Sequence, residues 1–122
     1  MHELAVCQSL LAEVERVAAA HHAVSVSRLV VAIGPLSGVE APLLDRAFEI
    51  ARMGGLAQAA HLEIEQCPVT VWCDDCELAS EVEPNELLCS RCGSWKVKLR
   101  TGDELLLKSV ELEEAGSAAT PA

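Results

Sequence analysis

Four of the six cysteines stand as two C-x-x-C pairs, Cys73-Asp74-Asp75-Cys76 and Cys89-Ser90-Arg91-Cys92, with twelve residues between them. Two residues inside each pair let one tight turn aim both sulfurs at the same ion, and the loop between the pairs closes a tetrahedron of Zn–S bonds of about 2.3 Å. Four protein ligands leave no open coordination position, so the zinc expected on Cys73, Cys76, Cys89 and Cys92 is structural. Gly93 follows Cys92 and suits the left-handed residue such a turn often needs, whereas Glu77 holds the matching place after Cys76 and makes a less suitable turn. Trp72 and Trp95 flank the pairs as candidates to cover the metal centre with apolar surface. Arg91, Lys96, Lys98 and Arg100 are near enough in sequence to offset some of the negative charge of four thiolates on Zn²⁺. A redox role fits less well, because a thioredoxin-type C-x-x-C opens a helix in a β-α unit and these pairs come twice in a loop-rich segment.

The chain start is the second place where residue types suggest chemistry. Met1-His2-Glu3 runs straight into a helical pattern. Nitrogen-rich, nearly planar donor sets favour Ni²⁺ or Cu²⁺, and here the donors would be the Met1 amine, the backbone nitrogens of His2 and Glu3, and the His2 imidazole. The first N–H groups of a helix have no intrahelical partner, so deprotonating them breaks no ladder bond. Two amide anions would cancel the charge of the cation at the positive end of the helix dipole. Taken alone the pattern is not distinctive, since some residue must follow Met1 and Glu3 is an ordinary first-turn residue.

These two sites need elements to hold them. Leu4, Cys7, Leu10, Leu11, Val14, Val17 and Ala18 recur at three- and four-residue steps and predict an amphipathic helix over about 3–20. Residues 24–33 are rich in β-branched side chains and read as a strand that Gly34-Pro35 ends. A second helix is expected from about Pro42, burying Leu43, Leu44, Ala47, Phe48 and Ala51 before Gly54-Gly55. A further strand follows over 61–66, with Pro68 marking an edge or a hinge. Residues 104–112 read as the last strand, with a slip in alternation near Lys108-Ser109 that a bulge would explain. The expected fold is α+β, with two helices packed on a small three-stranded sheet and a four-cysteine zinc-ribbon segment inserted before the last strand. The expected division is 1–70 with 101–112 as one domain, 71–100 as the zinc-binding domain, and 113–122 as a disordered tail.

Composition narrows the function classes. A chain of 122 residues supports one modest core, and its apolar residues are mainly Ala, Val and Leu, with one Phe, two Trp and no Tyr. A metal staple would help such a core. The formal net charge of −10 opposes phosphate neutralisation and anionic lipid surfaces, so neither nucleic acid nor membrane is an expected partner. No apolar run approaches a membrane span and no signal-type segment opens the chain, so a cytoplasmic location is expected. Cys7 and Cys67 read as small hydrophobes. His21 and His22 suit a helix C-terminus, and His61 reads as a partly exposed sheet residue.

Met-His-Glu at 1–3, I-G-P-L-S-G-V-E at 33–40, A-F-E at 47–49, the two C-x-x-C motifs and D-E-L-L-L-K-S-V-E-L-E at 103–113 occur together in one order. In this the chain resembles, over about residues 1–112, the HypA/HybF family of nickel metallochaperones. Ala41-Pro42 stands where the family pattern has Pro then Glu, a departure that touches no proposed ligand. The resemblance implies a two-part protein that binds Ni²⁺ as cargo at Met1, His2 and Glu3 and holds Zn²⁺ on Cys73, Cys76, Cys89 and Cys92. It also implies a HypB-type GTPase and the large subunit of [NiFe] hydrogenase as partners, with urease machinery as a further one, and no enzymatic activity. The chain is expected to be a monomer or a weak homodimer.

Two rival readings are weighed against that one. A zinc-ribbon protein-interaction module would hold zinc without transferring nickel, and loss of nickel binding in His2→Ala with zinc retained separates the two. A metalloenzyme would need a zinc position open to water and a nucleophile–base pair, and the sequence offers neither.

Overall fold

The computed structural model describes residues 2–114, in the order α1 (His2–Ala20), β1 (Ala23–Ile33), α2 (Ala41–Ala51), β2 (His61–Gln66), β3 (Val69–Cys73), β4 (Leu78–Val82), β5 (Val97–Thr101) and β6 (Leu105–Glu114). The strands form two three-stranded sheets, ordered β2-β1-β6 and β4-β3-β5. The chain divides into two compact units. One takes in residues up to Val31, Glu40–Ile64 and from Leu107 onward, and the other is Ala32–Val39 with Glu65–Leu106.

In the first unit the apolar period of α1 buries Cys7, Val14 and Ala18, spaced so that they fall on one helix face. His22, with φ 55°, ends the helix in a left-handed residue after His21 N–H donates to the Val17 and Ala18 carbonyls. β1 is the central strand of its sheet, and Leu29 to Ile33 are all buried, as in a strand covered on both faces. Arg28 on β1 bridges to Glu63 on β2 at 2.5 Å and to Glu111 on β6 at 2.7 Å, linking all three strands. In the ends of this sheet Ser25 Oγ donates to Glu113 at 3.0 Å.

α2 starts with Pro42 in its first turn and buries Leu44, Ala47 and Phe48. Leu43, expected in the core, is 41% exposed, because it lies on the outer face next to Leu44 rather than four residues from it. After the helix Arg52 stacks over the Phe48 ring at 5.2 Å and donates to the Ala60 carbonyl, which holds the return to β2.

The second unit has a sheet of its own where the cysteine pairs alone suggest a loop-rich segment. Val69 to Cys73 alternate buried and half-buried, and β3 pairs antiparallel with β4 on one side and β5 on the other. Its strands are five residues each, too short for alternation to stand out beside the cysteine pairs. Pro68 lies between β2 and β3, which belong to different sheets, so it marks the change of sheet and not an edge position within one. Gly34 and Gly102 meet backbone to backbone: Gly34 N–H donates to Glu104 O at 2.9 Å and Leu36 N–H to Gly102 O at 2.7 Å.

The breaks between the two compact units fall inside β1, β2 and β6 and just ahead of α2. The segment 32–39 also belongs to the second unit, which no composition shift in the sequence signals. β6 continues to Glu114, so Glu113 and Glu114 are strand residues and not tail. The rest of the expected disordered tail lies outside the described residues.

Candidate metal centre

β3 delivers Cys73 as its last residue, and the turn into β4 carries Cys76. Cys76 N–H donates to Cys73 Sγ at 3.3 Å, and Glu77 N–H to the Cys73 carbonyl at 2.8 Å. The second pair repeats the device ahead of β5. Arg91 N–H donates to Cys89 Sγ at 3.4 Å, and Gly93 N–H to the Cys89 carbonyl at 2.8 Å. Both turns close on a left-handed residue, Glu77 at φ 54° and Gly93 at φ 75°. The strained place after Cys76 is thus occupied by a glutamate despite its Cβ.

The four sulfurs lie within 4.8 Å of one another. Cys73 Sγ stands 3.7 Å from Cys92 Sγ, and Cys89 Sγ 4.0 Å from Cys76 Sγ. A regular tetrahedron with Zn–S bonds of about 2.3 Å has S···S edges of about 3.8 Å. The donor set and its spacing therefore fit a four-coordinate thiolate site, in which a bound Zn²⁺ would contribute cross-linking and no reaction.

The four thiols are electrostatically unequal. Backbone N–H groups of Cys92 and Arg91 point at Cys89 and push its pKa down to about 6. Cys76, hydrogen-bonded to Cys92 and partly desolvated, is pushed up to about 12. Thiol protons must leave as a metal enters, so metal binding at this cluster weakens as pH falls. Cys73 and Cys89 are buried, whereas Cys92 is exposed.

Neither tryptophan covers the centre. Trp95 is 75% exposed, and Trp72, adjacent to the buried Cys73 in the strand, faces the opposite side of the sheet, where Arg100 stacks on its ring at 5.0 Å. Among the described residues the four cysteines are the only group of three or more His, Cys, Asp or Glu whose ligand atoms could share an ion. Cys7 is buried, with its pKa raised to about 11 by desolvation. His61 is exposed at the start of β2.

At the other expected site, α1 begins at His2, and Met1 lies outside the described residues. Glu3 is buried, 8% exposed, and its carboxylate accepts the Glu40 N–H at 3.5 Å. Glu40 is the N-cap of α2 and its own side chain makes no capping bond. The structure thus gives the Glu3 side chain a structural partner that sequence reasoning missed. A glutamate in a first helical turn is too common for its type to reveal burial.

Among the described residues no helix is long and apolar enough to cross a membrane. Residues 1–112 match the family model described as hydrogenase/urease nickel incorporation, metallochaperone, hypA. The chain is 46% identical over 112 residues to the hydrogenase maturation factor HypA of Nitrosospira multiformis, covering 92% of this chain and 97% of that protein. It is 42% identical over 113 residues to HypA of Aquifex aeolicus, covering 93% and 98%. The solution structure of the Ni metallochaperone HypA from Helicobacter pylori superimposes with a TM-score of 0.68 at 32% identity, covering 92% of this chain and 97% of that one.

Proposed function

We propose, from the premise that this chain belongs to the HypA family of nickel metallochaperones for hydrogenase and urease nickel incorporation, an assignment of its metal sites and partners. The protein is a hydrogenase-maturation metallochaperone with a four-cysteine zinc-type site, and it is not an enzyme. In our reading the cargo Ni²⁺ is held by the Met1 amine, the backbone nitrogens of His2 and Glu3, and the His2 imidazole. Zn²⁺ is held by Cys73, Cys76, Cys89 and Cys92. The first structural unit carries the nickel and the second is the zinc-bearing module. Nickel passes to the large subunit of [NiFe] hydrogenase with a HypB-type GTPase, urease machinery being a further recipient, and the exchange takes place in the cytoplasm.

The observation that supports the nickel assignment is that α1 starts at His2. The amides of His2 and Glu3 then lie in the first helical turn, whose N–H groups donate no i→i−4 bond, so they can be deprotonated without loss of helical hydrogen bonds. Each donor has to be neutral or deprotonated to bind, and nickel affinity accordingly falls as pH drops.

A nickel titration of untagged, zinc-loaded protein tests the assignment beside two variants, His2→Ala and a chain with one extra residue before Met1. Both variants are expected to lose the nitrogen-rich absorption spectrum and high-affinity nickel binding while retaining one zinc. An extended chain that binds nickel with unchanged affinity and spectrum would remove the N-terminal amine from the site. Nickel binding unaltered in both variants would move the nickel site elsewhere, and a wild-type chain that retains zinc but binds no nickel would favour a zinc-ribbon interaction module.

A further inference from the structure

The sheet order β4-β3-β5 makes β5 an edge strand. Edge strands expose a row of backbone donors and acceptors, and a lysine on one is commonly just protection against unwanted pairing. β5 carries more than that. Lys96 just ahead of it and Lys98 and Arg100 on it follow one another at two-residue intervals in a chain with 19 acidic and nine basic residues, and all three are exposed. Arg16, Arg28 and Arg52 each sit on a carboxylate, whereas among the described residues Lys96, Lys98 and Arg100 form no salt bridge.

Their placement is also ordered by the fold. Lys98 pairs directly with Trp72, so the two side chains share a sheet face. Val71 pairs with Leu99 and Thr70 with Thr101, which leaves Arg100 as the extra residue of a bulge. Its guanidinium is held 5.0 Å from the Trp72 ring centroid, on the same face as Lys98. A cation already stacked on an aromatic ring has less rotamer freedom to lose on meeting a carboxylate. Between these two, Leu99 is on the opposite face and 38% exposed.

We propose that the β5 edge is a docking site for an extended acidic peptide segment of a partner protein, added as a fourth strand. Backbone pairing would hold the segment, and side chains of an added strand alternate between faces. Its carboxylates at every second position would meet Lys98 and Arg100, and the intervening residue, beside Leu99, would be apolar. Charge complementarity selects this occupant. A nucleic-acid strand is disfavoured by the net charge of −10 and by Glu81, which lies on the same face as Thr70, its partner across the β3–β4 pair.

Zinc-loaded, ¹⁵N-labelled full-length protein titrated with acetyl-Glu-Val-Glu-Val-Glu amide tests the proposal by amide chemical shifts. Expected are shifts concentrated on residues 97–101, binding that weakens with added salt, and no binding of the Lys-Val counterpart. Lys98→Glu with Arg100→Glu should weaken binding at least about tenfold, the combined effect expected from losing two exposed charge pairs and adding repulsion. Zinc content and the unperturbed spectrum establish that the variant folds; should it not, Lys98→Gln with Arg100→Gln takes its place and should weaken binding in the same direction. No peptide binding, equal affinity in the folded variant, or shifts centred on β4 or in the first unit would overturn the proposal. So would an oligouridylate that occupies β5 more tightly than the peptide.

Discussion

Glu3 brings a carboxylate into a site only 8% exposed, and the partner it finds there is the N–H of Glu40. A carboxylate beside the N-terminus of α2 meets the positive end of that helix and satisfies the N–H of its N-cap residue, as the N3 carboxylate does in a capping box. The Glu3 side chain therefore has a structural task separate from the nickel donor assigned to its backbone nitrogen. Glu3→Ala should lower stability by about 1–2 kcal/mol in urea melts of zinc-loaded protein. Glu3→Gln, which keeps an acceptor oxygen, should lower it less, and both should keep the nickel absorption spectrum. Loss of that spectrum in Glu3→Gln would make the carboxylate a nickel ligand. Cys7 yields a pH prediction. Burial raises its pKa from 9.0 to about 11, so the folded state holds the thiol proton more tightly than the unfolded chain. Its contribution to stability is complete below pH 9.0 and is lost as pH rises through about 11. Stability of wild type measured against Cys7→Ala should fall across that window, with the zinc thiols common to both.

At the scale of elements, the sequence I-G-P-L-S-G-V-E at 33–40 is a structural device. Gly34 lies so close to Gly102 that a Cβ on Gly34 would overlap the Gly102 carbonyl carbon and oxygen. Ser37 Oγ then accepts Val39 N–H at 3.1 Å, Gly38 turns at φ 82°, and the chain arrives at Glu40 to start α2. Gly102 faces two constraints, φ 124° and a Cβ position 2.9 Å from Val69 Cγ2 and 3.0 Å from Val69 Cα. Gly102→Ala should cost about 1–3 kcal/mol through backbone strain with further loss from the clash at β3, and Gly34→Ala should cost at least as much. Thermal melts of the two variants check this against Gly38→Ala, where a Cβ meets nothing within 4 Å and only the φ penalty applies. Gly34→Ala melting no lower than Gly38→Ala would show that the close approach to Gly102 does not constrain the protein.

For the whole molecule, the second unit is the one whose order should depend on metal. Its core is small, with Val69, Val71, Cys73 and Cys89 among its buried residues, and two of these four are members of the cysteine cluster. Binding energy of a structural zinc is then folding energy for that unit. The first unit has its own core in α1, β1 and α2, formed by residues such as Val14, Val31, Leu44 and Phe48. Cys73→Ser should lose bound zinc and hydrogen-exchange protection over residues 65–106, while amides of α1 keep theirs. Equal protection in β3 with and without zinc would mean that the sheet is stable on its own.

Much of this organisation was legible in single residues. Both helices, the strands β1 and β2, and the four-cysteine set follow from local properties: apolar periods, Gly and Pro at ends, and two tight turns that point sulfurs inward. Local rules also indicated that α1 starts within the first residues of the chain. Other features depended on contacts far apart in the chain. The second sheet joins 69–73 to 97–101 across the cysteine turns, and its five-residue strands carry too little alternation to announce it. The membership of 32–39 in the zinc-bearing unit rests on Gly34 meeting Gly102, a fit of two backbones that neither residue's neighbourhood encodes. Trp72 is turned away from the cysteines because strand alternation decides which side a residue faces, and Trp95 lies exposed in the bend ahead of β5. Glu3 and Arg100 acquired their partners in the same way. Type and spacing determine what a residue is able to do, whereas burial and partner choice are properties of the packed chain.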